Sequence, residues 1–255
     1  MQRLRRLLGR RSARQAERAF VAEGAKVVRE ALASGCPVES LYVDPTRLDT
    51  AGQIVVDDAM AAGARVFELA PGVLDRLEGT VTPQPVLAVV PFVDVPLSRL
   101  EAEDLIVVCV DLRDPGNLGT VLRSAEAAGA GGVVCCDGSV DVYNPKSVRA
   151  SAGAVFHVPV VAGGEACSVL ATLGDWGVRR LGSQARGGVS IDAVDLTVPT
   201  AFVLGNEAHG LPGPVDEALD GHVTIPMAGR AESLNVGMAA AVLVFEAARQ
   251  RRAAG

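Results

Sequence analysis

Apolar runs alternate with amphipathic stretches along nearly the whole chain. In the first third this pattern predicts, in order, a helix over 17–35, a strand in VESLYVD, a helix in AGQIVVDDAMAAGA, a strand in RVFELA and a strand in PVLAVVPF. Helices and strands that alternate in this way indicate a small α/β unit. It ends near residue 93.

The rest of the chain shows a more apolar version of the same alternation. Its predicted strands are LIVVCVD, GGVVCCDG, HVPVV, GVRRLGS, TAFVLGNE and HVTIPM. Strands this apolar, separated by helical segments, are typical of a parallel sheet covered on both faces. A long helix follows, and its apolar residues recur at helical spacing, which predicts a core or interface stripe: Leu234, Met238, Ala241, Phe245 and Ala248.

A polar, proline-bearing stretch, VDVPLSRLEAED, separates the two patterns. The sequence therefore predicts an N-terminal α/β domain over 1–93, a linker over 94–104 and a parallel-sheet domain over 105–255.

Composition narrows the class of protein. With 255 residues, 49% hydrophobic and 21% charged, the chain is expected to be globular. No apolar run approaches the ~18 residues of a membrane span, and the first residues lack the apolar core of a signal peptide, so we expect a cytoplasmic protein with no membrane partner. Five cysteines without clustered histidines predict reduced thiols and no metal site.

The net charge of −6 hides a basic N-terminus. One acid, Glu17, accompanies seven arginines in the first twenty residues: Arg3, Arg5, Arg6, Arg10, Arg11, Arg14 and Arg18. Two interpretations are open. The segment contacts phosphates, or it is a frayed, solvated helix without a partner.

Three loops that follow predicted strands carry the candidate chemistry: DLRDPGNLGTVLRSA, VLGNEAHGLP and IPMAGRAESLNVG. Each places glycine and an amide or carboxylate side chain beyond the carboxyl end of a strand, where open parallel sheets bind ligands. In the first loop, Asn117 suits the N-cap of the following helix. The loops contain no G-x-G-x-x-G, P-loop or G-x-S-x-G pattern, which argues against dinucleotide or triphosphate binding in the usual loops and against a hydrolytic triad.

Three segments in these regions, NLGTVLRSAEAAGA, FVLGNEAHGL and IPMAGRAESLNVGMAAAVLVFE, resemble in order and spacing the motifs of the SpoU (TrmH) RNA 2′-O-ribose methyltransferases. DVYNPKSVRASAGAVFHVPV resembles the stretch between the first two motifs, and the N-terminal unit resembles the family's ribosomal-protein-like substrate-binding domain. The resemblance implies an α/β SPOUT methyltransferase domain with a C-terminal trefoil knot, a smaller N-terminal RNA-binding α/β domain, and a homodimer.

The resemblance also implies that S-adenosylmethionine lies between the second and third loops. It would be held around five residues: Leu204, Gly205, Ile225, Met227 and Leu234. At position 205 a side chain would intrude where the cofactor approaches the backbone, and Ile225 and Leu234 would sandwich the adenine.

By the same resemblance, Asn117, Arg123 and Asn235 face the ribose whose 2′-hydroxyl attacks the methyl group. Glu207 and Ser233 would brace the loops, and Ser233 is also a candidate helix cap. Two roles for Arg123 are open. Family accounts have the arginine remove the proton. Alternatively, Arg123 holds a neighbouring phosphate and stabilises developing charge while the phosphate or water takes the proton, since a guanidinium carries only donors.

Candidate RNA contacts are Lys146 and Arg149 in the stretch between motifs, and Arg10 and Arg14 in the basic segment. The leading hypothesis is an S-adenosylmethionine-dependent RNA 2′-O-methyltransferase acting on 23S rRNA. The alternatives are a tRNA 2′-O-methyltransferase and a non-catalytic RNA-binding or assembly factor with the same fold.

Overall fold

The computed structural model describes residues 1–78 and 83–254. They form two compact units, one of Met1–Val93 with Tyr143–His157 and one of Asp94–Val142 with Val158–Gly255. The segment 143–157, which the sequence predicts in the second domain, therefore folds as part of the first unit. The predicted linker belongs to the second unit, where Leu100 is fully buried in the apolar core.

The first unit is built on a four-stranded sheet with the order β1-β4-β2-β3. Its strands are β1 (Ala19–Glu23), β2 (Ser40–Val43), β3 (Arg65–Glu68) and β4 (Val86–Pro91). Numbered along the whole chain, its helices are α1 (Gln2–Gly9), α2 (Arg11–Glu17), α3 (Ala25–Ala33), α4 (Thr50–Ala61), α5 (Asp75–Glu78) and α7 (Pro145–Ala150). Strand β4 is antiparallel to β1 and β2, whereas β2 and β3 are parallel.

The helix predicted over 17–35 is wrong in its first part, because residues 19–23 form β1. All five side chains of this strand are buried. A short, fully buried strand leaves no alternation in the sequence, so periodicity cannot distinguish it from a buried helical turn. The helix begins only after Gly24, whose φ of +93° turns the chain out of the sheet.

The basic N-terminal segment is a folded part of the first unit, so its interpretation as a frayed helix is wrong. Leu4 and Leu7 of α1 are 1% and 0% exposed and belong to the apolar cluster that covers β1 and β4. Arg14 is only 3% exposed, and its guanidinium donates to the Leu7 carbonyl at 2.6 Å. The structure therefore gives Arg14 a structural role and does not offer it to RNA. Arg10 is exposed.

The second unit confirms the predicted α/β fold with a parallel sheet. Its seven strands are all parallel and have the order β7-β6-β5-β10-β8-β11-β9. They are β5 (Leu105–Cys109), β6 (Gly132–Cys135), β7 (Val160–Ala162), β8 (Arg179–Ser183), β9 (Val189–Ser190), β10 (Thr200–Leu204) and β11 (Gly221–Thr224). The helices are α6 (Pro115–Ala128), α8 (Ala166–Asp175), α9 (Gly213–Glu217) and α10 (Val236–Ala254).

The strand order brings the candidate loops together. Strand β10 pairs with β5 on one side and β8 on the other, and β8 pairs with β11. The registers place Leu204 beside Cys109, so β5 and β10 end side by side. Because parallel strands share one carboxyl edge, the loops after β5, β8, β10 and β11 emerge as neighbours.

None of the helices in residues 1–78 and 83–254 has the length and apolar character needed to cross a membrane.

Candidate active site

A cavity of about 680 Å³ opens at the carboxyl edge of the large sheet. All five residues predicted to hold the cofactor line it: Leu204, Gly205, Ile225, Met227 and Leu234. Its volume lies within the ~300–1,000 Å³ of small-molecule sites, and it combines apolar side chains with a few polar groups, as such sites do.

The loop after β10 is held by Asn206, a residue that the sequence did not single out. Its Oδ1 accepts from the backbone N–H groups of Ala208 and His209 at 2.9 and 3.1 Å, and its backbone bridges to that of Gly210. Its Nδ2 donates to the carbonyl of Asp111 at 3.0 Å. Asn206 therefore closes the loop on itself and ties it to the exit of β5.

The structure adds a second reason for glycine at position 205 to the one inferred from sequence. A Cβ at this position would lie 2.5 Å from the Gly210 carbonyl carbon and 2.7 Å from the Leu211 nitrogen. Both atoms are backbone and cannot swing away. The absent side chain thus allows the loop from 205 to 211 to close, and Gly205 itself lines the cavity.

Helix α6 begins three residues earlier than predicted, so the N-cap role expected for Asn117 is wrong. Asp114 is the N-cap, its carboxylate accepts from the Asn117 N–H at 2.9 Å, and Pro115 follows in the first turn. An Asp-Pro pair favours a helix start because the carboxylate satisfies a free N–H and proline lacks one. The Asn117 side chain is consequently released for other contacts.

Three of the predicted catalytic residues form one hydrogen-bonded network. Asn117 Nδ2 donates to Glu207 Oε1 at 2.9 Å, and Asn235 Nδ2 donates to Asn117 Oδ1 at 2.8 Å. Glu207 also accepts from the backbone N–H groups of Asp114 and Arg113 at 3.2 and 3.3 Å. Asn117 is 9% exposed. The network therefore joins the first turn of α6, the loop after β10 and the segment before α10.

The network also determines the charge state of Glu207. Burial by itself would raise the pKa of this carboxyl, but the hydrogen bonds from the Asn117 amide and from backbone N–H groups outweigh burial and lower the pKa below its ordinary value. Glu207 is therefore a fixed carboxylate at neutral pH.

Asn235 is the cap of α10, and the cap role considered for Ser233 is wrong. Asn235 Oδ1 accepts from the N–H groups of Gly237 and Met238 at 2.9 and 3.4 Å. A Cβ at Gly237 would lie 2.9 Å from the Thr120 Cβ, so glycine allows α10 to approach α6 closely. Ser233 is exposed and lines the cavity.

Arg123 lies outside the network. It is exposed on α6, makes no hydrogen bond or ion pair within residues 1–78 and 83–254, and is not among the residues that line the cavity. All of its donors are available. The structure thus separates Arg123, which is free to meet an external group, from Asn117, Glu207 and Asn235, which bind one another.

The cavity has further polar residues that the sequence did not indicate. The carboxylate of Asp216 lies 2.8 Å from Nε2 of His222, Ser183 is the last residue of β8, and Gln184 follows it. Ser183 and Gln184 lie at the carboxyl end of a strand, which is the same signal that identified the other loops. Across the part of the chain that the structure describes, no group of three or more His, Cys, Asp or Glu side chains could hold a metal ion.

The predicted RNA contacts belong to the first unit. Lys146 and Arg149 are exposed on α7, which belongs to the first unit together with the basic N-terminal helices.

Comparisons with known proteins agree with this architecture. Residues 104–245 match the model of the SpoU rRNA Methylase family, and residues 1–88 match an MRM3-like substrate binding domain. The chain is 34% identical over 227 residues to a 23S rRNA (guanosine(2553)-2′-O)-methyltransferase of Bacillus subtilis, covering 89% of this chain and 87% of that one. It is also 34% identical over 257 residues to a 23S rRNA (uridine(2479)-2′-O)-methyltransferase of Streptomyces viridochromogenes, covering 96% and 88%.

A solved structure of the SpoU methyltransferase AviRb from Streptomyces viridochromogenes, in complex with the cofactor AdoMet, superimposes with a TM-score of 0.89 at 33% identity and covers 98% of this chain and 97% of that one. The family match spans more than half of the chain, and the similarity to both relatives runs through nearly its full length. This protein belongs to the SpoU rRNA Methylase family.

Proposed function

We propose that this protein transfers a methyl group from S-adenosylmethionine to a ribose 2′-hydroxyl of 23S rRNA. The observation that carries the proposal is the arrangement at the carboxyl edge of the large sheet. One cavity collects all five predicted cofactor residues, and the Asn117–Glu207–Asn235 network adjoins it through Glu207 and Asn235, which line the same cavity. The names of the relatives support the choice of RNA.

The cavity fits S-adenosylmethionine. Ile225 and Leu234 offer apolar surface for an adenine ring, and Gly205 and Gly210 line the cavity without side chains that would cover their backbone. Asp216 and His222 supply a polar wall for hydroxyl or amino groups. When bound, the cofactor supplies a methyl group made electrophilic by the positively charged sulfur.

The network positions the reacting groups. Asn117 has both ends of its amide engaged, one by Glu207 and one by Asn235, so the three segments that carry these residues are held in one arrangement. Methyl transfer needs the attacking oxygen in line with the methyl group, and fixed segments reduce the entropy lost in reaching that geometry. We therefore assign Asn117, Glu207 and Asn235 a positioning role.

Arg123 acts on the RNA. Its guanidinium is exposed and has no partner in the described part of the chain, so it can bind a phosphate beside the target ribose and stabilise negative charge that develops on the 2′-oxygen. Because a guanidinium carries only donors, we assign removal of the hydroxyl proton to a phosphate oxygen or water.

The proposal includes a homodimer formed through α10. Met238, Val242 and Phe245 recur at helical spacing and are 60%, 39% and 45% exposed, an apolar stripe that water disfavours. Light scattering of the wild-type protein at micromolar concentration is expected to give twice the chain mass, and Phe245→Asp is expected to give a monomer. A monomeric wild-type protein would exclude the dimer.

We also propose that the C-terminal segment forms the trefoil knot implied by the family resemblance. The chain returns from β11, near one end of the sheet, to pack α10 against α6 and β5. On this path Ile225, Met227 and residues 233–235 line one cavity with residues of the loops that follow β8 and β10.

Calorimetry with S-adenosylmethionine, followed by transfer of a radiolabelled methyl group to separate transcripts of 23S rRNA, 16S rRNA and tRNA, tests the proposal. We expect the protein to bind the cofactor and to label 23S rRNA at a 2′-O-methylated ribose. We also propose that the enzyme is located in the cytoplasm. Label on tRNA alone would favour a tRNA methyltransferase. Failure to bind the cofactor would favour a non-catalytic RNA-binding factor.

A further inference from the structure

The first unit has a cavity of its own, of about 430 Å³, at the end of β1 and the start of α3. Its lining includes three basic residues, Lys26, Arg29 and Arg149, and two acids, Glu23 and Asp49. All of these residues belong to the first unit, whereas the cofactor cavity is lined by the second.

The cavity contains one guanidinium held in place by a buried carboxylate. Arg149 Nη1 donates to both oxygens of Glu23 at 3.0 and 3.1 Å, and the side chains are 42% and 3% exposed. This ion pair uses only Nη1. Within residues 1–78 and 83–254 the donors on Nε and Nη2 have no protein partner, so a restrained cation presents free donors.

The other two cations are not paired with the acids around them. Lys26 and Arg29 are exposed, stand one turn apart on α3, and form no ion pair in the described residues. Glu23 is committed to Arg149, Asp49 accepts from the Gly52 N–H at 2.7 Å as the cap of α4, and Glu30 contacts His157 at 3.0 Å. The lining therefore carries three cations against two carboxylates, a net charge of +1, although the whole chain carries −6.

The first turn of α3 adds to this environment. Its N-cap is Gly24, which has no side chain to accept from the free N–H groups of that turn. Backbone donors at a helix start and cationic side chains both favour a phosphate group.

We infer that this cavity binds phosphodiester groups of the RNA substrate through Lys26, Arg29 and Arg149. The inference rests on the proposed function, because it takes RNA as the substrate. It gives the first unit a defined contact, in which Arg149 contributes a forked set of donors and Lys26 and Arg29 contribute mobile charges.

The test is the Lys26→Gln/Arg29→Gln protein, since both side chains are exposed and their loss leaves no buried charge unpaired. Binding to transcribed 23S rRNA is measured from 50 to 300 mM KCl. We expect affinity to fall by about tenfold or more at low salt and the slope of log K against log[KCl] to decrease by about 1.4, from two lost contacts of about 0.7 each.

The matched control is Arg65→Gln/Arg76→Gln, which removes the same charge from other exposed positions of the first unit. It should change affinity less than about twofold and leave the slope unaltered, because charges outside the contact are screened. An unchanged slope for Lys26→Gln/Arg29→Gln, or an equal loss in the control, would overturn the inference.

The Arg149→Lys protein tests whether the forked donors of Arg149 contribute to RNA binding. Lysine can keep the ion pair with Glu23 but lacks the forked donors, so affinity should fall several-fold with little change in slope. Affinity equal to that of wild type would overturn the placement of Arg149 in the site.

These measurements remain separate from the proposed function. Calorimetry should show unaltered S-adenosylmethionine affinity in Lys26→Gln/Arg29→Gln, and methyl transfer should show a higher KM for RNA with unchanged kcat. If Lys26→Gln/Arg29→Gln shows the decreased slope while the wild-type protein transfers no methyl group, the proposed function is overturned and the phosphate site is supported.

Discussion

The side-chain amide of Asn117 donates a 2.9 Å hydrogen bond to Glu207, which lies ninety residues further along the chain. This bond joins the first turn of α6 to the loop that closes the cofactor cavity. Asn117 is nearly buried, and Asn235 binds its other end. The amide of Asn117 thereby holds the proposed methyl-transfer site in a fixed position relative to the cofactor cavity.

Asn117→Ala should therefore impair activity and stability together. Removing the amide takes one donor from Glu207 and leaves Asn235 Nδ2 without its acceptor, at a cost of about 1–3 kcal/mol. Methyl transfer to 23S rRNA should fall at least about tenfold, since the three segments lose their common arrangement. Urea denaturation and a radiolabel assay measure both effects. Ser124→Ala, a truncation on the same helix, should change neither, and similar behaviour of the two variants would contradict the positioning role.

The low pKa of Glu207 predicts a pH-dependent difference between wild type and Glu207→Gln. The pKa of Glu207 is lower in the folded protein than in the unfolded chain, so the ionised carboxylate stabilises the folded state. This stabilisation is complete above the pKa of the unfolded state, about 4.3. It is lost as the pH falls through the pKa of the folded state. Thermal melts should show wild type above Glu207→Gln at pH 7, with the gap narrowing below about pH 4. A gap that does not change between pH 7 and pH 3 would mean that the carboxylate does not contribute in this way.

The sequence pattern predicted the large sheet well because its buried parallel strands are short, continuous apolar runs bounded by polar loops. It failed at residues 19–23 for a related reason. A buried strand directly followed by a helix gives one unbroken apolar stretch without a period. Chain order does not reveal that residues 143–157 group with the earlier compact unit.

The candidate site was predicted mainly through family resemblance, and the side-chain contacts within it were not. Position after a strand suggested Asn117 and Glu207, but only the fold shows that they bind each other. The role of Asn206 was not predicted. Its side chain accepts from backbone N–H groups two and three residues further on, and the directions of those groups cannot be derived from composition. The burial of Arg14 could not be predicted, because the many arginines around it in the sequence indicate a solvent-exposed segment.

Gly205→Ala should abolish cofactor binding without unfolding the protein. The added Cβ meets the backbone of Gly210 and Leu211 at 2.5–2.7 Å, so the loop must open and the cavity changes shape. Calorimetry should show S-adenosylmethionine affinity reduced about a hundredfold or more, with an unaltered circular dichroism spectrum. Gly213→Ala is the matched control, because Gly213 lines the same cavity but its added Cβ has no atom within 4 Å. Wild-type affinity in Gly205→Ala would show that the loop tolerates the side chain.

Leu7→Ala should destabilise the first unit, although it lies in a segment whose charge suggests a free arm. Leu7 is fully buried against the sheet, and truncating such a leucine costs about 2–5 kcal/mol. Arg10→Gln, three residues on and exposed, should cost less than about 0.5 kcal/mol. Urea denaturation of the full chain compares them. Equal free energies of unfolding for the two variants would show that residues 1–12 do not pack on the first unit. Deletion of residues 1–12 could then test RNA contacts without a loss of stability.

Arg123→Ala should lower methyl transfer by orders of magnitude while S-adenosylmethionine affinity stays within about twofold of wild type, because Arg123 is exposed, unpartnered in the described residues and absent from the cavity lining. Arg123→Lys keeps the charge but loses the planar fork, so activity should remain far below wild type if two donors bind one phosphate. The control is Arg99→Ala, which removes another exposed arginine of the second unit; its Nη1 lies 3.8 Å from Oε1 of Glu103. This variant should leave methyl transfer and S-adenosylmethionine affinity unchanged. Calorimetry and the radiolabel assay on 23S rRNA cover all three proteins. Substantial methylation by Arg123→Ala would remove Arg123 from the reaction, whereas full activity in Arg123→Lys would reduce its role to that of a simple positive charge.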